Sequence, residues 1–405
     1  MSSENGTNSE TALPLRVPSV RQTGLSRRSF LQGVGAGGAA VAGAGLLAAC
    51  GSDAPSTGGS GGGNDEAILN VANWQLYIDT KRVDDQKTYP TLEAFQAESG
   101  ITVNYTDPIN DNESFFATIR PVLASEQDTG YDTFVLTDWM ASKLISLAYL
   151  QKLDKANIPN MKNILPKLKS PSFDPNRDYS IPWQSGVTGI AYDASQVGEV
   201  SSISDLLTNP DLSGAITVLT EMRDTMGLIM LDQGNDPETF DDDAWNSALE
   251  VLQVATDSTH IRQYTGNNYA QLLAKGDLKA CMAWSGDVIQ LQFDNPDIKF
   301  VVPDAGAMLW SDNMLVPNLA QHKSNAEAWM NYYYEPKVAA ELAAWVAYIC
   351  PVTGAQAEME KIDKSLVENP LIFPTEDDLA KFSIFRALTN AEDIDYTGQF
   401  QALYT

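Results

Sequence analysis

Residues 69–137 decide the fold, because strand-like and helix-like patterns alternate along this stretch. The apolar, strand-like runs are LNVANW (69–74), TVNY (102–105) and TFVLT (133–137). Between them, apolar residues recur at helical spacing in TLEAFQAES (91–99) and SFFATIRPVLAS (114–125). Strand–helix alternation of this kind predicts an α/β fold with mainly parallel sheets.

The same alternation continues toward the C-terminus. We predict extended or strand segments at 181–192, 216–219, 279–284 and 299–302, and helices at 243–256, 324–334 and 338–346. A chain of 405 residues is longer than a single hydrophobic core usually accommodates, so we expect two α/β lobes. Ligands of such folds bind in the crevice beyond the carboxyl ends of the strands, so candidate site residues should directly follow strands.

The charge of the chain excludes some partners. It has 26 Lys and Arg against 53 Asp and Glu, a formal net charge of −27. Nucleic acids and anionic lipid surfaces are bound through basic patches, so we expect neither as a partner. A cationic ligand is compatible with this charge, although an acidic surface can also serve solubility alone.

The first fifty residues have the pattern of an export signal. Ser26-Arg27-Arg28-Ser29-Phe30-Leu31 resembles a twin-arginine motif, and the Gly/Ala-rich run 33–49 follows it. That run ends at Leu47-Ala48-Ala49-Cys50, which resembles a lipoprotein signal whose cysteine is lipidated. We therefore predict a signal peptide at 1–49, lipidation of Cys50 and a flexible Gly/Ser-rich tether at 50–66. A plain N-terminal membrane anchor is the alternative, and it places the domain in the same compartment.

Common catalytic and metal-binding motifs are missing from the sequence. Beyond residue 66 it contains no phosphate loop, no Gly-x-Gly-x-x-Gly that opens a helix, no His-Glu-x-x-His, no Cys-x-x-Cys and no Gly-x-Ser-x-Gly nucleophile elbow. Two histidines make a zinc site or a catalytic triad improbable. We therefore expect that the protein binds no metal and no cofactor and is not an enzyme. A hydrolase using two carboxylates stays open. A disulfide between Cys281 and Cys350 also stays open.

Six segments beside predicted strands combine an aromatic or polar residue with an acid or amide, and they hold five of the eight tryptophans. The segments are 73–77, 137–139, 182–185, 220–224, 284–287 and 310–312. An alkylammonium ligand needs aromatic walls for its methylenes and carboxylates for its amines. Each segment also has a plainer explanation, since Trp in strands is often core and Asp after a strand often caps a helix.

At these segments the chain resembles the spermidine/putrescine-binding proteins of ABC importers, a family of bacterial extracellular solute-binding lipoproteins. The resemblance runs from about Leu69 to about Ala355. It is carried by Asn73-Trp74, Tyr131-Asp132, the run 173–182, Leu219-Thr220 with the acids that follow, Trp284-Ser285-Gly286-Asp287 and Tyr348-x-x-Pro351.

The resemblance implies a set of polyamine-binding residues. Carried over position by position, they are Trp74, Gln75, Tyr77, Thr137, Trp139, Glu221, Asp224, Trp284, Asp287, Asp312 and Tyr348. To these we add Asp138 and Trp183, which lie in two of the six segments. Leu76 departs from the family pattern, because one branch has an acid there, and so does Met140, which replaces an aromatic residue.

The resemblance also implies the type II fold of periplasmic binding proteins, with two lobes, a central ligand cleft and crossing hinge segments. We assign residues 67–185 and 286–352 to lobe 1, and residues 186–285 and 353–405 to lobe 2. The expected function is extracytoplasmic capture of polyamines and their delivery to an ABC importer permease by a lipid-anchored monomer. A binding protein for a sugar or an amino acid is the first alternative, and a carboxylate-pair hydrolase is the second.

Overall fold

A computed structural model describes residues 67–84 and 86–405. The strands are β1 Ile68–Trp74, β2 Lys81–Val83, β3 Gln86–Thr88, β4 Thr102–Ile109, β5 Thr133–Thr137, β6 Ser180–Asp193, β7 Ile216–Leu219, β8 Ile261–Thr265, β9 Ala280–Trp284, β10 Ile298–Val301, β11 Ala307–Leu315 and β12 Phe382–Ser383. The helices are α1 Pro90–Ser99, α2 Asn112–Ala124, α3 Asp138–Ser146, α4 Ile203–Thr208, α5 Met222–Asp232, α6 Asp242–Asp257, α7 Tyr269–Ala274, α8 Ser285–Asp294, α9 Lys323–Tyr333, α10 Pro336–Val346, α11 Ala355–Ile362, α12 Lys364–Val367, α13 Glu376–Leu379 and α14 Asn390–Gln401.

The predicted strands and helices are present, most of them within two residues of their predicted ends. The main difference is β4, predicted at 102–105, which continues through Pro108 to Ile109. This strand pairs with β1 at one edge of the sheet. A proline is tolerated at an edge because its missing N–H removes no bond to an inner neighbour.

One mixed sheet organises the described chain, in the order β4-β1-β5-β11-β6-β9-β7-β8. Its two flanks are parallel, as predicted: β4, β1 and β5 on one side, and β9, β7 and β8 on the other. The centre is antiparallel, which the alternation pattern did not predict. There β11 runs against both β5 and β6, and β6 runs against β9.

The strands β6 and β11 connect the two flanks. Residues 180–188 of β6 pair with β11, and residues 188–192 pair with β9. The strand β11 in turn pairs with β5 through residues 312–315. Each long strand therefore bonds to different neighbours along its length, as expected of a segment that crosses between lobes. The residue boundaries assigned to the two lobes stay a prediction.

The C-terminal helix α14 packs on α6. The helix α6 begins at its N-cap Asp241, whose carboxylate accepts the Ala244 N–H, and it buries Trp245 as its pattern predicted. The ring of Tyr396 from α14 stacks on Trp245 with 4.1 Å between centroids. The side chain of Gln399 accepts the Trp245 indole N–H at 2.9 Å. These contacts fix the end of the chain against the β7–β8 side of the sheet.

Cys281 and Cys350 are both free and buried, so they form no disulfide.

Within the described ranges, no helix has the length and apolar character needed to cross a bilayer. The predicted signal peptide 1–49, the tether 50–66 and the lipidation site Cys50 lie outside the described residues.

Candidate ligand-binding cleft

A cavity of about 880 Å³ lies where strand ends from both flanks of the sheet meet. Twelve of the thirteen predicted binding residues line it: Trp74, Gln75, Tyr77, Thr137, Asp138, Trp139, Glu221, Asp224, Trp284, Asp287, Asp312 and Tyr348. They come together because β1, β5, β7 and β9 all present their carboxyl ends to this place. This is the position at which open α/β sheets bind ligands.

The carboxylate of Asp312 is held from two sides. It lies in β11 opposite Thr137 of β5, whose hydroxyl donates to Oδ1 at 2.7 Å. The hydroxyl of Tyr77 donates to Oδ2 at 2.8 Å. Burial raises the pKa of Asp312 to about 7 in spite of these donors. The group is thus a desolvated carboxyl that a bound cation would favour in its charged form.

A second carboxylate, Asp287, lies in the first turn of α8 and is 1% exposed. The hydroxyl of Tyr348 donates to Oδ1 at 2.7 Å. The hydroxyl of Tyr269 and the side-chain amide of Asn267 donate to Oδ2 at 2.9 and 2.8 Å. Burial raises its pKa to about 6, and the three donors act in the opposite direction. All three donors are neutral, so they orient the carboxylate without cancelling its charge.

The third carboxylate is Asp224, in the first turn of α5. The indole N–H of Trp284 donates to its Oδ2 at 2.8 Å. Burial raises the pKa of Asp224 to about 6. Among the described residues, no Lys, Arg or His forms a salt bridge with Asp224, Asp287 or Asp312. These three acids, the inner carboxylates, therefore have no ion-pair partner among the described residues.

The two remaining acids of the predicted set have other partners. Oε1 of Glu221 accepts the backbone N–H of Asn112 at 2.8 Å and its side-chain N–H at 2.9 Å. This contact joins the turn after β7 to the start of α2, and burial together with the nearby Asp111 raises the pKa of Glu221 to about 8. Asp138 accepts the side-chain amide of Asn313, and burial raises its pKa to about 6.

Aromatic rings form the walls around the inner carboxylates. The edge of Trp74 meets Trp284 with 5.8 Å between centroids, and Tyr77 meets Tyr348 in the same way at 5.0 Å. Trp310 lies 6.4 Å from Trp284 and 5.5 Å from Tyr348, and closes the set. Edge-to-face contacts of this kind fix the positions of the rings around the acids.

The glycine of the Trp284-Ser285-Gly286-Asp287 segment has a steric role in these walls. A Cβ at Gly286 would lie 2.4 Å from ring carbons of Tyr348, closer than atoms can approach. The missing side chain therefore lets the Tyr348 ring lie against the start of α8. There the Tyr348 hydroxyl donates to Asp287. A larger residue at position 286 would push the ring away and separate the two groups.

The prediction that Trp183 contacts ligand is wrong. Its side chain is 1% exposed and does not line the cavity. It packs in the core against two residues of α9, with centroids 4.5 Å from Tyr333 and 5.8 Å from Trp329. The helix α9 covers this part of β6, so a ring here is buried away from the cleft.

Several lining or supporting residues were not predicted. They are Asn112, Arg223, Asn267, Tyr269 and Trp310. A usable signal existed for some of them, since Asn267 and Tyr269 follow β8 at its carboxyl end and Trp310 lies in one of the six segments. The described residues contain no His, Cys, Asp and Glu group that could hold a metal ion.

Comparison with known proteins gives a consistent result. Residues 91–374 match the family described as bacterial extracellular solute-binding protein. The chain is 26% identical over 295 residues to the spermidine/putrescine-binding periplasmic protein of Salmonella typhimurium, with 72% of this chain and 80% of that protein covered. It is also 26% identical over 337 residues to the putrescine-binding periplasmic protein PotF of Escherichia coli, with 78% of this chain and 86% of that protein covered.

A solved structure from Listeria monocytogenes, assigned to a spermidine/putrescine ABC transporter, superposes with a TM-score of 0.72 at 25% identity. The superposition covers 84% of this chain and 99% of that one. It confirms the predicted two-lobe α/β fold of the periplasmic binding proteins. The family match covers well over half of the chain, and the fold agrees with it. The chain therefore belongs to the bacterial extracellular solute-binding protein family.

Proposed function

We propose that this protein captures polyamines of the putrescine and spermidine class outside the cytoplasm and delivers them to an ABC importer. The observation that carries the proposal is the set of inner carboxylates, Asp224, Asp287 and Asp312, which are buried among aromatic rings and bonded only to neutral donors. A buried carboxylate without a counter-charge is costly, and a ligand ammonium supplies that charge.

The aromatic walls suit the remainder of such a ligand. The methylenes of a polyamine need apolar surface, and its ammonium groups are attracted to the faces of Trp and Tyr rings, by about 0.5–2 kcal/mol for each contact. Trp74, Trp284, Trp310 and Tyr348 provide that surface beside the acids. The names of the two relatives, which are putrescine- and spermidine/putrescine-binding proteins, support the same ligand class.

The proposed mechanism is non-covalent. Ligand enters between open lobes, the carboxylates pair with its ammonium groups, and closure about the crossing strands β6 and β11 buries it. The permease then recognises the closed form. Closure requires only that the ligand bind the closed state more tightly than the open one. The bonds from Asn112 to Glu221 join the two flanks and would form as the cleft closes.

We further propose that the protein is a monomer, exported through its twin-arginine motif and anchored by lipid at Cys50. The tether at 50–66 would leave the folded domain free to reach a permease in the same membrane. The extracytoplasmic location in this proposal is supported by the two relatives, which are periplasmic proteins.

Two alternatives predict other behaviour. A sugar or amino-acid site would usually add Arg or Lys for its ligand, but Arg223, the one basic residue of the six segments, is paired with Asp393 at 2.6 Å. A hydrolase would turn over its substrate, whereas we expect a binding protein with no catalytic activity to retain its ligand unchanged.

The test is calorimetry and thermal shift on the chain without residues 1–65, with putrescine, spermidine, spermine, amino acids and sugars. A polyamine at 100 times its Kd should stabilise the fold by about 2.7 kcal/mol. The bound ligand should be recovered intact by mass spectrometry. A response to a sugar and to no polyamine would overturn the proposal.

A further inference from the structure

Trp139, one of the rings that line the cleft, already has a protein cation on its face. The guanidinium of Arg223 lies over the ring of Trp139, 3.9 Å from its centroid. This is van der Waals contact, so no ligand group fits between them. Trp139 was predicted to line the ligand cleft, but the face that Arg223 covers is not open to a ligand.

Arg223 is held in this position from several elements. Its Nη2 donates to Asp393 of α14 at 2.6 Å, and its side chain is only 12% exposed. Asp393 also lies 3.2 Å from Lys143 of α3, and Lys143 lies 3.0 Å from Glu113 of α2. The charges in this group alternate, so Arg223 is part of a network rather than a mobile side chain.

The carboxylates near Trp139 are therefore in use. Asp393 pairs with two cations and Glu113 with one, while Glu221 accepts both donors of Asn112. The inner carboxylates also line the cleft and carry no salt bridge among the described residues. At the Trp139 end the acids thus lie against protein cations or Asn112. The inner carboxylates, and Asp138 which accepts the Asn313 amide, have neutral partners alone among the described residues.

A small second pocket lies beyond Arg223. Trp139, Glu221 and Arg223 line both cavities, so they form the wall between them. The second pocket has a volume of about 10 Å³, room for about one water molecule. The acids Asp111 and Glu113 also line this pocket but not the cleft. Without the Arg223 side chain, the amine site would extend toward acids that a further ammonium could use.

We propose that Arg223 limits ligand length: it closes the amine site at Trp139, so that the protein accepts diamines and triamines and rejects a tetramine. The inference rests on the proposed function. A triamine can match the three inner carboxylates. The next ammonium of a tetramine would reach Trp139 and meet a guanidinium whose acid partner, Asp393, is already in use. It would lose its hydration without gaining a carboxylate.

The test is calorimetric titration of putrescine, spermidine and spermine into the purified protein and its Arg223→Met variant. We expect the unaltered protein to bind spermidine at least about tenfold more tightly than spermine, and Arg223→Met to reduce that ratio by about tenfold. Arg223→Lys keeps the charge and should retain most of the discrimination. Arg120→Met is the matched control, because Arg120 is exposed and lies near a ring, Phe116, outside the cleft.

If Arg223→Met does not fold, the pair Arg223→Met with Asp393→Asn removes both charges together, and the same ratio is measured in that variant. Equal binding of spermine and spermidine by the unaltered protein would overturn the inference. An unchanged ratio after loss of Arg223 would do the same, while the polyamine function would stand. Absence of binding by every polyamine would instead remove the proposed function.

Discussion

The indole N–H of Trp284 donates a 2.8 Å hydrogen bond to the carboxylate of Asp224. Trp284 ends β9 and Asp224 lies in the first turn after β7, and these two strands are neighbours in the sheet. A ring and an acid from distant parts of the sequence thus form one unit. The bond fixes both side chains, which reduces the entropy that ligand binding would otherwise cost.

Replacing Trp284 by Phe should weaken polyamine binding. The change keeps a ring but removes the donor to Asp224, and Phe attracts a cation less than Trp does. We expect a loss of about 1–2 kcal/mol in binding free energy, measured by calorimetry. Trp183→Phe is the matched control. It should lower the free energy of unfolding by about 1–3 kcal/mol and leave the affinity unchanged, because Trp183 lies in the core. Equal losses of affinity in both variants would contradict the assignment.

Asp287→Asn should reduce polyamine affinity by about 1.5–3 kcal/mol, because a charged hydrogen bond to an ammonium is lost. The amide is similar in size and its oxygen can still accept the Tyr348 hydroxyl, while its N–H would face the two donors Tyr269 and Asn267. Tyr269 can turn its hydroxyl to accept and Asn267 can rotate its amide, so the fold should persist with a modest loss of stability. Thermal unfolding checks this point. Asp211→Asn, at an exposed acid away from the cavity, should change neither quantity. Unaltered affinity in Asp287→Asn would remove this residue from the binding site.

The ligand-free protein should lose stability as the pH rises from about 4.5 to about 8. Folded Glu221 keeps its proton to about pH 8 because burial raises its pKa, whereas in the unfolded chain it releases the proton near its ordinary value of 4.5. The folded state binds more protons in this window, so raising the pH favours unfolding. Asp312 contributes in the same direction up to about pH 7.

Glu221→Gln isolates the contribution of Glu221. The amide oxygen can still accept from Asn112 but the side chain no longer titrates, so stability should fall less steeply with pH than in the unaltered protein. Urea denaturation across the window measures both curves. Parallel curves for the two proteins would show that Glu221 does not hold its proton in the folded state.

Both cysteines should be present as thiols. Alkylation of the unfolded, unreduced protein should label Cys281 and Cys350, as read by mass spectrometry, and the folded protein should resist labelling because both side chains are buried. Burial also raises the pKa of Cys350 to about 12, which keeps the reactive thiolate scarce. Protection of both cysteines in the unfolded, unreduced state would indicate a disulfide instead.

Local patterns predicted most of the elements. Apolar spacing located β1, β5, β7 and α6 because each buries one face or both, and burial leaves a periodic trace in the residues. The antiparallel centre of the sheet had no such trace. Strand direction depends on how β6 and β11 pass between the flanks, and that path involves residues more than a hundred positions apart.

The site shows the same division. The sequence by itself determined that acids beside rings would meet at the cleft, because parallel strands place their carboxyl ends together and these residues follow those ends. It wrongly added Trp183 and did not identify Arg223 or Tyr269. Only the tertiary structure decided what each acid does. Asp287 is held by neutral donors and Glu221 by Asn112, while Arg223 covers Trp139 and Trp183 lies under α9. Those roles depend on partners brought in from distant segments, and contacts of that kind leave no local pattern in the chain.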